Sequence, residues 1–153
     1  MLDARKIDRD TVLSLIKLRV LPEQEKNVAP NAVSIAQASV EPGATIFGLW
    51  DGDTPVGLLS FIDVARSRPC QEDGDDPDSI YVWRLMIDKD HQGRGYGRAA
   101  MELVENHARA LGRASVALSS EPDGLSAVPF YERLGYSLTG RVMDGEVELK
   151  KAL

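Results

Sequence analysis

One cysteine, Cys70, is all that the 153 residues contain, which excludes an internal disulfide framework and a cysteine-rich metal site. Its simplest reading is an incidental thiol in a reducing cytoplasm. No apolar stretch approaches the roughly 20 residues that a membrane span requires, and the opening MLDARKIDRD is too charged for a secretory leader. Positive charge is short as well. Against 24 Asp and Glu stand 18 Lys and Arg, a formal net charge of -6, which weighs against nucleic acid as a partner and suits a cationic one. His91 and His107 have no ligand residues clustered near them in sequence, so both are expected at the surface without a partner, and no metal is expected. What is plentiful is ordinary: 43% hydrophobic and 27% charged residues fit one globular domain over residues 1–153 with a single core.

Periodicity orders the elements. Residues 3–9 read as a short strand and residues 8–20 as a helix, started by Asp10 or Thr11, with Val12, Leu15 and Ile16 on one face. A polar connection over 22–30 leads to a second helix over 31–40, capped by Asn31. Two apolar runs around Asp51-Gly52-Asp53 predict a hairpin. A loop over 66–79 follows, acidic at residues 72–78, and then IYVWRLMID, nearly continuous in apolar residues like a strand buried on both faces. A helix from Gly97 or Arg98 to about Leu111 carries a stripe of Ala100, Val104, Ala108 and Leu111, and Gly112 stops it. A buried strand over 114–120, a short helix within 124–136 and two strands around Asp144-Gly145 complete the chain. The order β-α-α-β-β-β-α-β-α-β-β predicts an α/β or α+β domain with a mixed sheet.

The stretch QGRGYGR, residues 92–98, stands at the mouth of the long helix. Glycines let a backbone come close to a ligand, and a helix N-terminus offers free N–H groups with roughly half a positive charge. Arg94 and Arg98 add cations suited to phosphate. The alternative is a plain strand-to-helix turn with surface arginines. A Walker loop would end in Gly-Lys-Ser/Thr, whereas Arg98 follows Gly97 here. The dinucleotide fingerprint needs G-x-G-x-x-G and an acid ending the next strand, whereas that strand ends in Ser119-Ser120.

The six residues Gln92, Gly93, Arg94, Gly95, Tyr96 and Gly97 match Q-x-x-G-x-G. Together with the flanking YVWRLMID and RAAMELV they resemble the central strand, pyrophosphate loop and helix of the GNAT family of acetyl-CoA-dependent N-acetyltransferases. VPFYERLGY, residues 128–136, resembles that family's second signature. The likeness runs from residue 44 to the end and is looser in the N-terminal helices. It implies an acyl-CoA acyltransferase fold, α+β, with a mixed, mostly antiparallel sheet of six or seven strands flanked by about four helices. It implies acetyl-CoA as co-substrate, with Gln92 and the amides of Gly93, Arg94, Gly95, Tyr96, Gly97 and Arg98 at the pyrophosphate. The strand backbone of Leu85, Met86 and Ile87 would run along the pantetheine arm, and an amide at Met86 or Ile87 would polarise the thioester carbonyl. Gly124 and Ala127 would add cofactor contacts. Tyr131 matches the tyrosine that protonates the leaving thiolate; the plain alternative is a core tyrosine.

The match has departures. Gly124 stands where the family often carries Asn, and Pro129 puts the start of its helix near Leu125 or Ser126. Trp83 stands where polyamine-acetylating members often carry an acid. It either offers its face to a cationic acceptor or packs in the core. A base must still take the amine's proton, and Glu121, just past the next strand, is the candidate. Arg84, in mid-strand, either pairs with a carboxylate or faces solvent. The overall pattern most resembles the bacterial diamine and polyamine branch, through NVAPNAVSIAQA and YERLGYSLTGRVMDGEVELKK. The acidic loop suits a polycation, or is a solvated hairpin tip. The alternative acceptors are an aminoglycoside- or streptothricin-like antibiotic or another small amine. The alternative to an enzyme is a non-catalytic acetyl-CoA-binding module. Similar proteins imply a homodimer by analogy alone.

Overall fold

The computed structural model describes residues 1–67, 74–124 and 126–153. Cys70, the first part of the acidic loop and Leu125, one of the two expected helix starts, lie outside the described residues. Seven strands form one sheet: β1 (Leu2–Lys6), β2 (Ala44–Asp51), β3 (Thr54–Asp63), β4 (Ser79–Ile87), β5 (Ser115–Ser120), β6 (Ser137–Met143) and β7 (Glu146–Ala152). Four helices accompany them: α1 (Val12–Ile16), α2 (Asn31–Ala38), α3 (Tyr96–Ala110) and α4 (Val128–Arg133). The sequential order is the expected one, and so is the mixed α+β class. Strands lie in the order β1-β2-β3-β4-β5-β7-β6. Every pair is antiparallel except β4 and β5, which run parallel because α3 crosses over between them. Among the described residues no helix is long and apolar enough to cross a membrane.

One core gathers on the α3 face of the sheet. Ala100, Met101, Val104 and Ala108 of α3 pack with Leu49, Leu59, Ile80, Val82, Val116, Leu118 and Leu149 from the strands. Met101 replaces Leu111 in the expected stripe: Leu111 is exposed, beside Gly112 at φ 71°. His107 is not a bare surface residue either, since its ring packs on Phe61 with centroids 4.9 Å apart.

The N-terminal half departs most from expectation. α1 spans only residues 12–16 because tertiary bonds take the chain elsewhere. Arg19 N donates to Asp88 Oδ1 (2.9 Å), and Lys89 N donates to Arg19 O (2.7 Å). The polar connection folds as a 3₁₀ turn, Pro22–Asn27. Asn31 does not cap α2: Pro30 holds that position, and the buried Asn31 donates through Nδ2 to Leu15 O at 2.8 Å, tying α2 to α1. α4 begins at Val128, later than expected, with Pro129 in its first turn and Val128 N donating to Ser126 Oγ at 3.1 Å.

β4 is not fully buried on both faces, since Tyr81, Trp83, Arg84, Leu85 and Ile87 are half-buried, and it also lacks a partner along part of one edge. Its pairing with β5 covers only Ser79 to Val82, while its pairing with β3 continues to Ile87 opposite Gly57. Residues 83–87 therefore have a strand on one side only. Ser60 faces Arg84 and Phe61 faces Val82, so Trp83 is the extra residue of a β-bulge. Such bulges bend a strand and re-aim its side chains.

The end of β3 is locked by charge. Asp63, buried, accepts Arg113 Nε on Oδ1 (2.9 Å) and Arg113 Nη2 on Oδ2 (3.0 Å). Arg113→Ala leaves that carboxylate buried without its partner, and urea unfolding is expected to show a midpoint at clearly lower urea. An unchanged midpoint, as after an ordinary surface change, would contradict this assignment.

Candidate functional site

The glycine turn is built on a small scaffold. Asp88, at the end of β4, accepts the amides of Arg19 and Asp90 and faces His91 Nδ1 at 3.2 Å. His91 thus has a partner that the sequence did not suggest. Gln92 Nε2 donates to Ile87 O (3.1 Å) and to Gln24 Oε1 (2.8 Å), so its side chain clamps the turn to β4 and to the 3₁₀ turn. Gly93 (φ 76°) and Gly95 (φ 84°) then take left-handed conformations that glycine adopts at little cost. Gly95 is the N-cap of α3, with no side chain capping it and no acid in the first turn. Those amides, the helix dipole and Arg98 make one electropositive mouth. Gly97 has another reason to be glycine: a Cβ there would lie 3.1 Å from the Phe130 ring of α4.

A cleft of about 1480 Å³ opens between the one-sided edge of β4 and the end of β5 with α4. Trp83, Leu85, Met86 and Ile87 line it, as do Gln92, Gly93, Gly95, Tyr96, Gly97, Arg98, Glu121, Ala127 and Tyr131. Two expected cofactor residues are not on its wall. Arg94 Nη2 donates to Asp90 O at 3.1 Å. Gly124 lies in a neighbouring groove with Pro22, Glu23, Glu25 and Lys26. An unpaired strand edge leading to an electropositive helix mouth suits an extended ligand with amide groups and a pyrophosphate, which is the chemistry of coenzyme A.

Tyr131 is nearly buried on α4, its ring edge-on to Phe130 and Tyr136. The Leu-Gly-Tyr turn fixes it: Tyr136 N donates to Tyr131 O (3.1 Å), and Tyr136 OH donates to Glu105 Oε1 (3.1 Å) on α3. Burial pushes the Tyr131 hydroxyl up to about 12, so it holds its proton through the neutral range. Glu121 is exposed at the rim, its backbone oxygen accepting Ser126 Oγ at 2.6 Å. Trp83 is half-buried in the bulge, and the Arg84 guanidinium sits 5.2 Å from its ring centroid. A cation of the protein itself therefore covers one face of that ring. Among the described residues Arg84 pairs with no carboxylate; it donates to Trp83 O (2.8 Å) and Gln37 Oε1 (3.4 Å).

Part of the acidic loop is tied into the protein, with Asp75 on Arg141 at 3.1 Å and Asp76 on Lys150. Among the described residues no group of three or more His, Cys, Asp or Glu gathers as a metal site would. The sequence reading missed Gln24 and the bonded trio Tyr81, Ser119 and Glu146. Alternation puts Tyr81 and Ser119 off the core face, but only the strand register shows that they meet.

The fold and the cleft together fit one class of protein, the acetyltransferase (GNAT) family. The profile of the acetyltransferase (GNAT) family matches residues 12–136, and the chain belongs to that family. A mycothiol acetyltransferase of Geodermatophilus obscurus is 37% identical over 95 residues, 61% of this chain and 29% of that protein. One of Propionibacterium freudenreichii is 30% identical over 118 residues, 76% of this chain and 35% of that protein. The chain thus spans about a third of these relatives. Among solved structures, PaiA N-acetyltransferase from Thermoplasma acidophilum in complex with coenzyme A aligns with a TM-score of 0.70 at 10% identity, over 100% of this chain and 99% of that one.

Gly95→Val forces a β-branched residue to φ 84°, which costs more than about 1–2 kcal/mol and crowds the anion mouth. Titration calorimetry is expected to show coenzyme A binding weakened at least about 10-fold, with the circular dichroism of the parent. Unchanged affinity would remove the glycine turn from the cofactor site.

Proposed function

We propose that this chain moves an acetyl group from acetyl-CoA directly to a primary amine of a small molecule, with a diamine or polyamine as the acceptor. The observation that carries the transfer is the cleft itself, with the open edge of β4 and the glycine turn on one wall and Tyr131 on the other. In this reading the amides of residues 93–98 hold the pyrophosphate, and Leu85, Met86 and Ile87 bond the pantetheine arm as an added strand would. An amide of β4 draws electron density from the thioester carbonyl. The amine attacks, the C–S bond breaks, and Tyr131, protonated at working pH, donates to the leaving sulfur.

The amine must arrive neutral. A lysine-like amine has a pKa near 10.4, so losing a proton at pH 7 costs roughly 4–5 kcal/mol. The sequence points to Glu121 for this step, a carboxylate exposed at the rim. A cationic acceptor is supported by the acids along the cleft, among them Glu25, Glu41, Glu121, Asp144 and Glu146. A second acceptor is favoured by the relatives' names: the amine that mycothiol acetyltransferases acetylate.

The test is thiol release from acetyl-CoA with spermidine, spermine, putrescine, aminoglycosides, streptothricin and the mycothiol acetyltransferase substrate. Saturable turnover of spermidine or spermine supports the polyamine reading. Turnover of another amine alone replaces it, and acetyl-CoA binding without any turnover leaves a cofactor-binding module. Tyr131→Phe is expected to lower kcat about 100-fold or more while the acetyl-CoA Kd stays within about twofold. An unchanged kcat would return Tyr131 to the core.

A further inference from the structure

Three strands meet on the sheet face opposite α3, and their polar side chains form a chain. Tyr81 of β4 has its hydroxyl 2.5 Å from Ser119 Oγ of β5. Ser119 Oγ donates to Glu146 Oε2 of β7 at 2.8 Å. With Ser119 donating to the carboxylate, the Tyr81 proton points at Ser119, and the remaining lone pair of the Tyr81 oxygen is free to accept. All three residues line the cleft. Tyr81 lies one residue before Val82, where β4 leaves β5, so the chain begins at the head of the one-sided edge.

We infer that Tyr81, Ser119 and Glu146 form the path by which the acceptor ammonium loses its proton, with Glu146 rather than Glu121 as the terminal base. This rests on the amine-acetylation reading above. The ammonium gives one proton to the Tyr81 oxygen as the Tyr81 proton passes to Ser119 and the Ser119 proton passes to Glu146. Glu146 releases it to solvent and the hydroxyls turn back. The neutral nitrogen then forms the C–N bond and the C–S bond breaks. Its second proton replaces the one that Tyr131 gives to the sulfur, so the products are the amide, the thiol and one released proton.

The surroundings distinguish Glu146 from its neighbours. Glu148, on the same strand, is occupied by Thr139 Oγ1 (3.0 Å) and Arg141 (3.3 Å). Among the described residues, the Glu146 carboxylate accepts one side-chain hydrogen bond, from Ser119. The charged and titratable groups facing the chain are Arg84 on β4, Glu148 and Lys150 on β7, Arg141 on β6, and Asp75 and Asp76 ahead of β4. Asp75 and Asp76 are held by Arg141 and Lys150. Burial, opposed by the Ser119 bond and reinforced by Glu146 and Glu148, pushes the Tyr81 hydroxyl above its ordinary value. Tyr81 therefore passes a proton without ionising. Burial lowers the Arg84 guanidinium below its ordinary value, and Tyr81 and Glu146 oppose that shift.

The experiment compares the parent with Glu146→Gln, which can still accept from Ser119 but is no base, and with Ser119→Ala, which cuts the path and leaves both ends. Thiol release is followed from pH 6.5 to 10 with spermidine, or with the panel amine that the parent turns over fastest. Both variants are expected to lose about 100-fold in kcat/KM at pH 7. The loss shrinks to a few-fold near pH 10, where the amine arrives neutral. Acetyl-CoA Kd and Tm stay at the parent's values. No loss, a loss equal at every pH, or a loss seen instead in a Glu121→Gln variant assayed in parallel would overturn the path. A parent without turnover of any amine overturns the acetylation reading and the path together, whereas parent turnover with unaffected variants overturns the path alone.

Discussion

The site depends on one event in the sheet: β4 parts from β5 after Val82 while staying paired to β3 through Ile87. In a sheet interior every strand edge is bonded. Here five residues keep an open edge inside a cleft, where unpaired amides and carbonyls call for a partner. The bulge at Trp83 and the parting occur at the same point in the chain, and the bulge supplies the local bend. An extended ligand with amides of its own can fill such an edge, as an added strand would.

The rest of the chain serves that opening. Asp88 and Gln92 are built into its far end, and their bonds to Arg19, Ile87 and Gln24 set the height of the glycine turn above β4. Gly97 lets Phe130 approach α3, which brings α4 and Tyr131 against the cleft. Glu105 reinforces this contact, since Tyr136 OH and Lys151 Nζ both donate to it, at 3.1 and 2.9 Å. The wall opposite the core is polar because strand alternation turns Tyr81, Ser119 and Glu146 away from α3. The glycine turn at the mouth of α3 is electropositive, which suits an anionic ligand.

Much of the fold was legible because its signals are local. Asp51-Gly52-Asp53 and Asp144-Gly145 mark hairpins that form, and the glycines at 93, 95 and 97 sit at the start of the long helix. The expected cofactor residues lie along one cleft except Arg94 and Gly124. What was illegible depends on contacts between distant residues. α1 ends early because Arg19 bonds to Asp88, 69 residues away. Asn31 looks like a cap and instead reaches Leu15. The link from Ser119 to Glu146 exists only through the register of β5 on β7, in which Ser120 faces Val147. No spacing in the sequence reports that register.

The most direct test is amide hydrogen exchange, read residue by residue with and without acetyl-CoA. Slowed exchange is expected at amides within residues 83–87 and 93–98 on binding, with the amides of β1 and β2 unchanged. Cofactor binding that leaves both segments at their free rates would contradict an open β4 edge as the cofactor's seat.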